Sequence, residues 1–182
     1  VRGEGERTIV EVAAALDAGS DLGDVLGIQF RDGDTIRRTD DRPVIKDLDS
    51  LPFPAWDLLD LSAWRYQRIP MVNLDSIPLP VMASRGCPYN CTFCSQDKYV
   101  KQFRRRSTEK VVEEIDTMIA NHGFKAFGFN DSYFPWDEAS TFEFCDQVRA
   151  HPWYTDTRWV TETRVDRVDD RTMKAMADAG LH

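Results

Sequence analysis

The sequence predicts an α/β fold in which helices cover a parallel sheet. From Val81 to the C-terminus a strand-like run, a polar loop and a helical pattern follow one another three times, and such alternation implies parallel strands joined by right-handed crossovers. The sheet is then a barrel or doubly wound, and in either case chemistry gathers at the carboxyl ends of the strands. Three polar segments fall at those ends: the cysteine loop from Ser84 to Gln96, the cluster Asn130-Asp131-Ser132, and Glu162 to Arg164.

The elements follow from local pattern. Val1 to Glu6 reads as a glycine-rich turn, either a plain tight turn or a phosphate cradle, and Thr8 to Asp17 carries Ile9, Val12, Ala13 and Leu16 at helical spacing before Gly19. Two runs around Asp32-Gly33-Asp34 predict an exposed hairpin. From Asp40 to Pro80 six prolines forbid long helices, leaving an extended linker with a helical turn near Trp56 to Leu61. Its Phe53, Trp56, Leu58, Leu59, Trp64 and Tyr66 are apolar enough to be expected against a domain surface.

Val81 to Ser84 is the first strand of the repeat. Asp97 to Arg106 is the one basic stretch, either a solvated loop or an anchor for an anionic ligand. Ser107 is placed to cap a helix with Val111, Val112, Ile115, Met118 and Ile119 in one stripe, ended by Gly123. A strand from Lys125 to Asn130, a helix from Glu138 to Ala150, a strand from Arg158 to Arg164 and a helix containing Met173, Met176 and Ala177 complete the pattern.

Composition bounds the function. Of 182 residues 42% are hydrophobic and 30% charged, as in soluble globular proteins. The formal net charge of -8 argues against a bulk nucleic-acid binder. No apolar run is long enough to cross a bilayer and Val1 to Arg7 is polar, so neither a membrane helix nor a signal peptide is expected, and the compartment reads as cytoplasmic and reducing. A first residue other than Met, and a last residue following Ala-Gly-Leu where a helix gives way to a strand, read as an internal fragment.

Cys87, Cys91 and Cys94 stand in C-x3-C-x2-C spacing. Three close thiolates in a reducing compartment point to a metal or cluster rather than to disulfides. A closed zinc site wants four protein ligands, and no fourth lies at matching short spacing, so the site has three ligands and an open position. One reading is a cubane cluster with one iron free to bind a chelating molecule. The other is a zinc-stabilised binding module completed by a distant His or by Cys145. The apolar helix face around Cys145 favours a buried thiol, and His122 and His151 fall at helix ends where structural roles are commoner.

The segment from Ser84 to Ser95, with Phe93 just before the last cysteine, resembles the signature of the radical S-adenosylmethionine (SAM) enzymes. The resemblance implies that residues 80–182 are the N-terminal half of a partial TIM-type (β/α) barrel, its first three βα units. Cys87, Cys91 and Cys94 would ligate three irons of a 4Fe-4S cluster, SAM would chelate the fourth, and Phe93 would lie near the adenine. Asn130, Asp131 and Ser132 occupy the place of the family's polar motif after the second strand, with the common Gly-Gly-Glu form absent; Glu162 and Arg164 are further candidates for SAM's polar groups. Residues 1–40 and the motif from Asp47 to Trp56 resemble the junction after the cobalamin-binding domain in the cobalamin-dependent subgroup. Residues 1–40 would be the C-terminal remnant of that Rossmann-like domain, and 41–79 a proline-rich packed linker.

The resemblance further implies one-electron cleavage of SAM, fed by a reductant such as flavodoxin or ferredoxin. Radical attack on an unactivated carbon of a small-molecule substrate follows, and then methyl transfer from cobalamin. Cyclisation, methylthio transfer or rearrangement are the alternatives, and the fragment by itself is expected to be inactive.

Overall fold

The computed structural model describes residues 1–61, 78–94 and 102–182. These divide into two units, the first carried by Val1–Lys46 and the second by the residues from Asp47 onward.

In the first unit helix α1 (Glu6–Ala18) starts after Gly5 and ends at Gly19, whose φ of 64° is the left-handed conformation that stops a helix most cheaply with glycine. The opening turn is tied down by the Arg2 N–H, which donates to the Gly27 carbonyl at 2.6 Å. Strands β1 (Gln29–Asp32) and β2 (Thr35–Arg38) pair antiparallel from Gln29 with Arg38 to Asp32 with Thr35. Gly33 and Asp34 make the turn, with φ of 58° at Gly33, the first central position that a tight hairpin reserves for glycine. The helical stripe is only partly legible. Ile9, Ala13 and Leu16 are exposed and only Thr8 of α1 is buried, because an apolar stripe is buried only where another element covers it.

The second unit begins with the linker, which makes single helical turns at Leu48–Ser50 and Trp56–Leu58. Trp56 packs against the core and Leu61 is buried, but Leu58 and Leu59 are 80% and 52% exposed, contrary to the expected packing; Trp64 and Tyr66 lie outside the described residues. The Asp49 carboxylate accepts from the Ser107 N–H at 3.1 Å, so the linker docks at the start of a helix.

Strand β3 (Leu79–Val81) opens the parallel sheet, and a two-residue ladder of β4 (Ser84–Arg85) with β5 (Arg104–Arg105) closes the base of the cysteine loop. Helix α2 (Thr108–His122) is capped by the Ser107 hydroxyl, which accepts from the Lys110 N–H at 3.2 Å, and buries Val111, Val112, Ile115 and Met118. Strand β6 (Ala126–Phe129), helix α3 (Glu138–Ala150), strand β7 (Arg158–Val160) and helix α4 (Asp170–Asp178) follow. The sheet order is β3-β6-β7, all parallel, and Leu181 forms a parallel bridge to Trp159. Consecutive strands of this sheet are thus neighbours among the described residues.

Register explains the core. Leu79 pairs with Phe127, Phe127 with Trp159 and Val81 with Phe129, so one face of the sheet carries a large apolar row that α2, α3 and α4 bury. Trp159 is wholly buried, lies parallel to Phe127 at 6.2 Å, and meets Phe129 and Phe144 edge-on. Three local readings are corrected. β3 stops at Val81 and β7 at Val160, because the following backbone leaves the sheet to form loops. On α4 the face that packs is Ala175, Met176 and Ala179, while Met173 and Ala177 face outward.

Candidate functional site

The site is built at the carboxyl ends of the three parallel strands. After β3 the chain turns into the loop holding Cys87, Cys91 and Cys94, all three free thiols and partly exposed. Gly86, at φ of 82°, makes the entry, and the Cys94 N–H donates to the Cys91 carbonyl at 3.0 Å, so the last two cysteines share one tight turn. Among the described residues no three His, Cys, Asp or Glu side chains converge on one metal ion. Cubane ligands each bind a different iron, so three free thiols on one loop remain a donor set that suits a cluster rather than a single ion. Phe93 is 91% exposed, its ring presented to solvent beside Cys94.

Asp131, at the end of β6, is turned inward. One carboxylate oxygen accepts from the Ala83 N–H at 2.9 Å and the other from the Ser84 hydroxyl, which ties the second strand's end to the root of the cysteine loop. Its two oxygens are committed to the backbone and side chain that position the loop. Burial pushes its pKa up to about 6 against the opposing pull of these hydrogen bonds. Stability consequently falls with rising pH. The unfolded state loses this proton near 3.8 while the folded state keeps it to about 6, so the folded form binds more protons between those values. A shift of this size corresponds to about 3 kcal/mol, present below about pH 4, lost as pH rises to 6 and flat above. Asp131→Asn, which keeps an acceptor for the Ala83 N–H but cannot ionise, is expected to remove that slope in denaturant melts between pH 4 and 7. Equal slopes in wild type and variant would overturn the assignment.

Asn130 and Ser132 are exposed on either side of Asp131. Asn130 lines an open cavity of about 300 Å³ with Met82, Arg106, Leu48 and Trp56, and the cysteines are not among the residues lining it. Arg106 is part of the lining. It pairs with Glu114, donates to the Met82 and Lys110 carbonyls at 3.1 Å, and so bolts the strand end to α2. Burial raises the Glu114 pKa while Arg106 opposes it. The basic stretch is therefore mostly architectural among its described residues: Arg106 is this bolt, and Arg105 pairs with Asp137 at 3.0 Å. Lys98 and Lys101 lie outside the described residues.

Beyond β7, Glu162 is exposed and its carbonyl accepts from the Phe134 N–H at 3.4 Å. Arg164 does reach the cysteine loop: its Nη1 donates to the Cys91 sulfur at 3.3 Å and its guanidinium lies 4.3 Å from the centroid of the Tyr89 ring. Tyr89 is also approached by Arg167 at 5.3 Å and edge-on by Tyr133 at 5.1 Å. Spacing alone could not reveal this aromatic and cationic frame, since Tyr89, Tyr133 and Arg167 are 34 to 78 positions apart in pairs. Cys145 is fully buried, with its thiol pKa pushed up to about 11 by burial, as a packing residue should be. His151 meets Asp116 at 3.3 Å at the end of α3.

The model of the radical SAM superfamily matches residues 81–182. The chain belongs to the radical SAM superfamily. Over its whole length it is 32% identical to an uncharacterized methyltransferase of Pyrococcus horikoshii and 34% identical to the anaerobic magnesium-protoporphyrin IX monomethyl ester cyclase of Cereibacter sphaeroides. It spans 38% and 29% of the lengths of these relatives. Two solved structures share the fold. The radical SAM methyltransferase TsrM of Kitasatospora setae, with cobalamin and a [4Fe-4S] cluster bound, superposes with a TM-score of 0.70 at 19% identity, over 100% of this chain and 36% of that one. The cobalamin-dependent radical enzyme OxsB, with aqua-cobalamin and SAM bound, gives 0.72 at 19% identity, over 98% and 26%. Membership of this enzyme superfamily sets aside the zinc-module alternative. No helix among the described residues is long and apolar enough to cross a membrane.

Proposed function

We propose that the full-length protein is a cobalamin-dependent radical SAM enzyme that transfers a methyl group to an unactivated carbon of a small-molecule substrate. The observation that carries this reading is the loop of three free thiols at the carboxyl end of the first parallel strand of a radical SAM domain. Cys87, Cys91 and Cys94 would hold a 4Fe-4S cluster, whose open iron leaves a place for the amino and carboxylate groups of SAM. When bound, the reduced cluster supplies the electron that cleaves the sulfonium of SAM, and cobalamin supplies the methyl group.

The protein's own residues position and shield. The exposed Phe93 ring offers a surface for adenine, Asn130, Ser132 and Glu162 offer polar contacts to SAM, and Asp131 holds the loop root in place. Residues 80–182 would be the first half of a partial barrel, 41–79 its packed linker, and 1–40 the end of a cobalamin-binding domain. The methyltransferase relative and the two cobalamin-containing neighbours support this assignment. A second reading, radical cyclisation, is favoured by the 34% identity to the cyclase of Cereibacter sphaeroides. A flavodoxin or ferredoxin is the proposed electron donor.

Anaerobically reconstituted full-length protein is expected to contain about four irons and four sulfides per chain, as a cubane requires, and to release methionine from SAM when reduced. With methyl-labelled SAM, label in a product recovered from extract-derived small molecules supports methyl transfer. Unlabelled products two hydrogens lighter than their precursors support cyclisation. A reconstituted protein without iron and sulfide would sink both.

A further inference from the structure

We infer that Arg164 sets the reduction potential of the cluster by donating a hydrogen bond to the sulfur of one of its ligands, Cys91. The inference rests on the reading of Cys87, Cys91 and Cys94 as cluster ligands, and it concerns a residue that the sequence places only among candidates for contacting SAM.

The geometry is that of a fixed donor. An arginine presents five N–H groups in a rigid planar fork and keeps its charge at any working pH. Here one edge of the fork is taken: Nε donates to Asp166 Oδ1 at 2.9 Å and Nη2 to Oδ2 at 2.8 Å. The face lies on the Tyr89 ring at 4.3 Å. What remains is Nη1, and it is aimed at Cys91 Sγ at 3.3 Å. Arg164 caps the single helical turn Val165–Arg167, which contains Asp166, so the clamp that orients the guanidinium is built from the same few residues. Tyr89 lies in the loop between Cys87 and Cys91, so Arg164 grips that loop at a ring and at a sulfur.

The consequence is electrostatic and local. Asp166 nearly cancels the charge of Arg164 at long range, which leaves the directed N–H as the main influence on the sulfur. A donor to a ligand sulfur withdraws electron density from a cluster and favours its reduced, more negative state, so potentials rise with such hydrogen bonds. A radical SAM cluster must be reduced before it can act, and a preset donor on one ligand makes that reduction less demanding. The grip also links the end of β7 to the cysteine loop, so whatever moves residues 161–167 would change the potential as well as the shape of the site.

The test uses the full-length protein, reconstituted anaerobically, with iron and sulfide assayed on every sample. Potentiometric titration followed by electron paramagnetic resonance should show that Arg164→Met, at unchanged cluster content, lowers the reduced-to-oxidised ratio about tenfold at a fixed ambient potential, about 59 mV for a one-electron couple. Arg164→Lys, which keeps the charge but loses the clamped fork, should fall between Met and wild type. An unchanged midpoint in Arg164→Met with full cluster content would overturn the inference while leaving the cluster assignment intact. Wild-type protein that holds no iron and sulfide defeats the parent reading instead. A second measurement needs no variant: wild-type protein carrying ¹⁵N-arginine, reduced and examined by pulsed resonance, should show nitrogen coupled to the cluster. Absence of that coupling also overturns the inference, even where Arg164→Met fails to retain a cluster.

Discussion

Simultaneous replacement of Cys87, Cys91 and Cys94 by alanine in the full-length protein is expected to reduce bound iron, bound sulfide and reductive SAM cleavage to background while leaving the fold in place. The reasoning is one of location. The three thiols are partly exposed, form no disulfide, and belong to a loop outside the hydrophobic core, so each substitution removes little buried surface. Surface changes of this kind shift stability by about 0.5 kcal/mol or less apiece. The loop root is held separately, by Asp131 on Ala83 and Ser84 and by the β4–β5 ladder, and none of these contacts uses a cysteine side chain. Circular dichroism should therefore coincide and the melting midpoints of the cluster-free proteins should agree within about 5 °C for wild type and variant, whereas metal content and methionine release should not. Collapse of the fold in the variant would mean that the cysteines are structural. Retained SAM cleavage would mean that they are not the cluster ligands.

Trp159→Ala should act in the opposite way, leaving the cysteine loop chemically intact and destabilising the body that carries it. Trp159, on β7, is wholly buried in the hydrophobic core, packed on Phe127, Phe129, Phe134 and Phe144. Its indole N–H donates to the Ala179 carbonyl at 2.9 Å, and its backbone N–H donates to the Gly180 carbonyl at 3.1 Å. Truncation leaves a cavity among rings too rigid to collapse into it and strips the Ala179 carbonyl of its donor. The expected loss is about 3 to 5 kcal/mol, a large share of the stability of any domain. Urea titration checks it, and a loss below about 1 kcal/mol would mean that the core repacks freely. Trp159→Phe, which keeps most of the volume but not the N–H, should recover the larger part of the loss.

These two substitutions divide the molecule into chemistry and support, and the division follows how much each part owed to local sequence. The helices were legible because their signals are local. Ser107 is a cap followed by an apolar stripe, Gly123 is a stop, and the observed helix Glu138–Ala150 has the bounds its pattern predicts. Burial was less legible wherever it depended on what lies opposite. Ile9, Leu16, Leu58, Leu59 and Met173 have apolar side chains yet are exposed, since a residue cannot encode locally whether a partner surface will reach it.

The segment from Ser84 to Ser95, with its C-x3-C-x2-C spacing and Phe93, by itself identified the loop, its open three-ligand character and the family resemblance, because the residues that carry that pattern lie within a few positions of one another in the chain. The sequence alone also determined the strand–helix alternation and hence the end of the sheet at which polar residues collect. Only the tertiary structure decided what those polar residues do. Asp131, a candidate for meeting SAM, faces inward to Ala83 and Ser84; Asn130 faces a cavity with Arg106; and Arg164 crosses 73 positions of chain to reach the sulfur of Cys91. The physical reason is that hydrogen bonds and ring contacts act over a few ångströms, and three strand ends distant in sequence come within that range only once the sheet has formed.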